Sequence, residues 1–80
     1  MKVSAYRRLR QLLTRHFLLP ARAVRPHRSL HSLGLNALER NEFYNEVEQA
    51  FCLSLDDRLL PPTYTLAELA AYVGHPPRNP

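Results

Sequence analysis

Residues 33–51 read Leu33-Gly34-Leu35-Asn36-Ala37-Leu38-Glu39, then Arg40-Asn41-Glu42-Phe43-Tyr44-Asn45-Glu46-Val47-Glu48-Gln49-Ala50-Phe51. Asn36 followed three residues later by Glu39 is a capping-box start, in which each side chain can hold the other residue's backbone amide. Leu38, Phe43, Val47, Ala50 and Phe51 mark an apolar side at helical spacings, with Glu42, Glu46, Glu48 and Gln49 on the solvent side. The pattern predicts a helix over 37–51 with Phe51 in the core. On that helix Ala37, Asn41, Tyr44 and Glu48 share a stripe, so Tyr44 is expected on the exposed side.

Upstream, Tyr6, Leu9, Leu13, His16 and Phe17 recur every three or four residues with Leu12 beside them, and Arg8, Gln11 and Arg15 fall opposite. This predicts an amphipathic helix over 4–18, capped by Ser4. The Arg7-Arg8 pair opposes the positive N-terminal end of the helix dipole, so the helix depends on packing. Pro20 stops it. Residues 20–35 form a long connection whose apolar anchors are Val24, Leu30 and Leu33.

Downstream, Leu53 and Leu55 alternate with Cys52 and Ser54 in a short extended exit. Cys52 reads as a small packed residue, with no flanking base to make it a reactive thiol. Asp56-Asp57 can cap a brief helix near 57–60, which Pro61-Pro62 would end. Thr65 caps a last helix over 66–73, with Leu66, Leu69, Ala70 and Val73 inward and Gly74 at its end.

Several blocks in order resemble the acyl carrier protein family. Its motif is Leu-Gly-x-Asp-Ser-Leu-Asp/Glu, matched here by Leu33-Gly34-Leu35-Asn36-Ala37-Leu38-Glu39. Glu48-Gln49-Ala50-Phe51 with Leu55 is similar to the family's Glu-x-x-Phe and the aliphatic residue four positions on. Thr65-Leu66-Ala67-Glu68-Leu69-Ala70-Ala71-Tyr72-Val73 resembles its final helix, and Leu19-Pro20, Val24-Arg25-Pro26 and Leu30-His31-Ser32-Leu33 follow its long-loop layout. The resemblance covers residues 4–74. It implies an all-α, acyl carrier protein-like four-helix bundle with three main helices and a short third one. The expected layout is a single domain over 1–74 and a flexible proline-rich tail over 75–80.

The family's serine carries the phosphopantetheine arm. Here Ala37 occupies that position and Asn36 stands where the family has aspartate. Alanine has no oxygen to form the phosphodiester. No cofactor is therefore expected, and 4′-phosphopantetheine is expected only if Ala37 replaces an original serine. Ser29, Ser32 and Ser54 all lie away from the family's attachment position. The altered Asn36 argues against a single designed change, which would leave the aspartate in place.

Fold does not carry function with it. With the serine absent, the resemblance implies a non-enzymatic binding or scaffold protein that docks onto partners of fatty-acid or polyketide biosynthesis. The first alternative is an authentic acyl or peptidyl carrier captured as a Ser-to-Ala variant. The second is a basic module for nucleic acid or anionic surfaces. Related carriers use the exposed side of the second helix for partner enzymes. The resemblance thus implies partner-binding roles for Leu38, Arg40, Asn41, Tyr44 and Asn45.

Eighty residues allow one small core. No apolar run approaches the roughly 18 residues needed to span a bilayer. The lone Cys52 excludes an internal disulfide, and a cytoplasmic location fits. Residues 1–38 carry Lys2 and seven arginines with no acid, giving +8, while residues 39–80 sum to −4. Family members are usually acidic, so the basic half is a departure. An arginine-rich, acid-free start also resembles a mitochondrial presequence. Against that reading, the small core needs the segment's apolar residues.

Arg8, Arg15 and Arg22 are expected to be exposed. They suit an acidic partner, either a conventional acidic carrier protein or an enzyme that binds one. No helix-turn-helix spacing supports nucleic-acid binding by these arginines, for which a solvated basic face is the commoner reading. His16, His27, His31 and His75 lack the cysteines or carboxylates that would make a metal site with them, and no catalytic triad or paired carboxylates are legible.

Overall fold

The computed structural model describes residues 4–56 and 60–74. Among the described residues, three α-helices, α1 (Ala5–His16), α2 (Ala37–Phe51) and α3 (Leu66–Gly74), account for the regular structure together with one 3-10 turn at Ala21–Ala23, and no strand occurs. The brief helix expected near 57–60 falls mostly on residues outside those described, as do His75 and the expected tail at 75–80. Leu60 itself is buried in the core.

Each helix starts where its cap residue allows. The Ser4 side chain accepts a hydrogen bond from the Arg7 amide. Asn36 and Glu39 form a complete capping box on α2. Thr65 and Glu68 do the same on α3, with the Glu68 amide 3.1 Å from Thr65 Oγ1 and the Thr65 amide 2.9 Å from Glu68 Oε1. No acid stands in the first turn of α1. Its stability therefore rests on Leu9 and Leu13, both fully buried. That burial makes the basic N-terminal segment part of the core.

Two turns leave their helices through left-handed residues that are not glycine, Leu18 (φ 55°) after α1 and Cys52 (φ 54°) after α2. Both are exposed, and Leu18 is 84% exposed. The expected packing of Cys52 does not occur, because its left-handed conformation turns the side chain away from the core. In exchange the Leu53 amide reaches the Glu48 carbonyl, a Schellman-like closure.

The core joins Leu9 and Leu13 of α1, Phe43, Tyr44 and Val47 of α2, and Leu66, Leu69 and Val73 of α3 with Val24, Leu30, Leu35 and Leu60. Phe17 meets Phe43 edge-on at 6.0 Å between ring centres. Helix α1 packs more extensively on α3 than on α2.

The long connection is ordered by what it caps. The Arg28 and Pro26 carbonyls accept from the Leu66 and Ala67 amides, which are first-turn donors of α3 with no partner inside the helix. Ser29 and Ser32 interlock through two amide-to-hydroxyl bonds, and Ser29 forms an antiparallel bridge to Thr65. The Tyr6 hydroxyl donates to the Val24 carbonyl at 3.0 Å and ties the connection to α1.

Further expected burial assignments change on α1 and α2. Leu38 is 66% exposed. It lies nine residues before Val47, about half a turn round the helix at roughly 100° per residue. Phe51 is only half-buried and packs on the margin of the core, since it belongs to the last turn before the chain leaves. His16 points outward with its Nε2 3.9 Å from Glu46, a link between α1 and α2 that is ionic only when the imidazole is protonated.

Candidate functional site

The capping box fixes the N-terminus of α2. The Asn36 side chain accepts from the Glu39 amide at 2.8 Å, and the Asn36 amide donates to Glu39 Oε1 at 3.0 Å. This places Ala37 as the first helical residue, exposed, with Leu38 next to it. An open cleft of about 520 Å³ lies against this turn. Ala37, Leu38, Arg40 and Asn41 line its helical side, and Leu60 and Pro62 line it from the returning chain. Asn45, one turn beyond Asn41, is exposed but does not line the cleft.

Tyr44 is not an exposed contact residue. It is 9% exposed, and its hydroxyl lies 3.5 Å from the Leu60 carbonyl oxygen. The helical wheel places it about 60° from Val47 and about 60° from Asn41, so local geometry leaves it at the border between core and solvent. The chain that returns through Leu60 covers it, and Tyr44 becomes the floor of the cleft. Arg40 is also partly committed, because its Nη1 donates to the Leu35 carbonyl at 2.9 Å and holds the loop end against α2.

Among the described residues no serine, threonine or cysteine lines the cleft at this turn. Ser32 Oγ accepts from the Ser29 amide and from Arg28 Nε and donates to the Ser29 carbonyl. Ser29 Oγ accepts from the Ser32 amide. Ser54 is exposed beyond the far end of α2. His27 and His31 are both exposed in the connection, and among the described residues no three His, Cys, Asp or Glu side chains come together as a metal site.

The basic residues separate into two groups. Arg8 and Arg15 are exposed on α1. Arg22 joins Arg7, Arg10 and Arg25 around a second cleft of about 380 Å³, which neither Arg8 nor Arg15 lines. Arg28 is held by Ser32, through Nε at 3.1 Å to the hydroxyl and Nη2 at 2.6 Å to the carbonyl. Sequence reasoning missed the second cleft, the Arg28–Ser32 clamp and the bond from the Leu55 amide to Glu48 Oε2 at 2.8 Å. The Ser29-x-x-Ser32 spacing was a readable turn signal. The other two depend on where the chain returns after leaving a helix.

No helix among the described residues is long and apolar enough to cross a membrane. No protein-family model, curated protein or solved structure matches the chain.

Proposed function

We propose that this chain is a non-enzymatic docking module on an acyl carrier protein-like four-helix bundle, which binds a biosynthetic partner protein without holding a phosphopantetheine arm. The observation that carries this reading is the first turn of α2, where exposed Ala37 and the 66% exposed Leu38 stand beside an open cleft. The turn offers an apolar contact where the carrier motif would offer a nucleophile. The motif blocks quoted above, with the order of α1, long connection, α2 and α3, support the carrier-like reading of the fold. A cytoplasmic setting follows from it, since the partners it implies work there.

Leu38 is the anchor in this proposal, with Arg40, Asn41 and Asn45 around it. Tyr44 supports the cleft from below. Apolar groups this exposed are candidates for partner contact because burying a leucine side chain is worth about 1.5–3 kcal/mol.

Two measurements test the reading. Incubation with a broad-specificity phosphopantetheinyl transferase and coenzyme A should leave the intact mass unchanged. The Ala37→Ser variant should be modified weakly or not at all, and rapid, complete modification of it would favour an authentic carrier captured as a variant. Titration of the isotope-labelled chain with a purified carrier-binding enzyme of fatty-acid or polyketide synthesis should shift amide signals in the first half of α2. Leu38→Glu should remove those shifts. Shifts that survive that change would place docking elsewhere.

A further inference from the structure

We propose that the second cleft, between the N-terminal half of α1 and the chain that follows it, binds a ligand carrying adjacent phosphate groups, that is, a diphosphate. Arg7 and Arg10 line the cleft from α1, and Arg22 and Arg25 line it from the connection. Each pair is spaced by three residues. On the helix this puts Arg7 and Arg10 on one face. Its volume of about 380 Å³ lies within the range of small-ligand sites.

Among the described residues the cluster is uncompensated. The ion pair among the described residues is His16 with Glu46, on another part of the molecule, and no described carboxylate pairs with any of these four arginines. Residues 1–38 contain no acid that could do so. Four like charges around one cleft repel each other, and Arg7 also stands in the positive first turn of α1. An anion bound there would relieve both. A carboxylate brings one negative charge, a phosphate monoester about two, and a diphosphate more. Guanidinium forks also match phosphate oxygens two at a time.

The walls are held in place without the ligand. Arg10 Nη2 donates to the Ala21 carbonyl at 3.3 Å, and the Tyr6 hydroxyl donates to the Val24 carbonyl at 3.0 Å. These two bonds fasten the connection to α1 on either side of Arg22. The four arginines converge on one cleft, whereas an acidic protein face would meet Arg8 and Arg15 outside it.

The probe is inorganic pyrophosphate, titrated by calorimetry and by amide shifts into the full chain at low salt. Vesicles of phosphatidylcholine doped with diacylglycerol pyrophosphate present the same group on a lipid. The proposal expects saturable one-to-one binding of at least one probe, with amide shifts in residues 4–10 and 21–26. Binding of pyrophosphate alone assigns a free ligand, and binding of vesicles alone assigns a lipid headgroup. The double variant Arg7→Gln, Arg25→Gln should weaken binding about 100-fold, as expected for losing two charge-assisted contacts. Both side chains are exposed and make no hydrogen bond to a described residue, so the fold should stand, which circular dichroism checks. Arg8→Gln, Arg15→Gln removes the same charge outside the cleft and should change binding by less than about threefold. No saturable binding of either probe, or equal losses in the two double variants, overturns the proposal. Docking at Leu38 is untouched by either result.

Discussion

An alanine at the first turn of a helix costs the helix nothing, since alanine is the best helix former and the cap stands one residue earlier. Ala37 and Asn36 therefore have different duties. Ala37 presents a methyl group and no acceptor oxygen on an exposed turn, while Asn36 closes the capping box on Glu39. Asn36→Ala should lower stability by about 1 kcal/mol, within the usual span of about 0.5–2 for a lost cap. Urea unfolding measures it, and an unchanged midpoint would show that α2 is set by packing alone. These two residues were legible because a capping box is a local pattern. Tyr44, Arg40 and Glu48 were not. Each bonds or contacts the backbone of a segment outside its own helix, at Leu60, Leu35 and Leu55 respectively. Nothing within one helical turn encodes those partners.

At the scale of elements, the ends of the three helices were readable from Ser4, Asn36, Thr65 and Pro20. The predicted span 37–51 of α2 agrees with the structure, and α1 and α3 differ from their predicted spans by one or two residues. Which face turns inward was less readable. An apolar side drawn through Leu38, Phe43, Val47 and Phe51 is wider than the stripe the core accepts, and the two terminal residues lie at its margins. Phe43 is fully buried and Phe51 half-buried. Phe43→Ala should therefore cost about 3–5 kcal/mol, and Phe51→Ala about 1–2 when the same loss is scaled to partial burial. An 80-residue domain has little more stability than the first figure, so Phe43→Ala should be largely unfolded by circular dichroism at 25 °C. Equal effects of the two truncations would mean that Phe51 is as deep as Phe43 and that the margin of the core is drawn wrongly. The long connection was unreadable as structure for a related reason. It has no period of its own, and its order comes from capping α3 with the Pro26 and Arg28 carbonyls.

At the scale of the molecule, the charge asymmetry was visible in the sequence, but its arrangement was not. The positive half divides into an open face on α1, with Arg8 and Arg15, and a cluster around the second cleft that includes Arg22. If an acidic carrier protein is the partner, the open face should steer it, since complementary charge acts mainly on the association rate and fades as salt screens it. Arg8→Glu with Arg15→Glu should slow association with a purified acidic carrier by about tenfold at low salt, within the range that steering supplies. The dissociation rate should change less. The change should not unfold the domain, because both side chains are exposed. Arg8→Glu should even favour α1 by about 0.3–1 kcal/mol, because it puts an acid near the positive end of a helix whose first turn has none. Arg22→Glu alone should leave the carrier's association rate within about threefold while weakening pyrophosphate binding, since that residue faces the second cleft. Stopped-flow association at two salt concentrations separates these outcomes. If the α1 double reversal associates as fast as the unaltered chain at low salt, the open face only meets solvent, and any partner recognition rests on the first turn of α2.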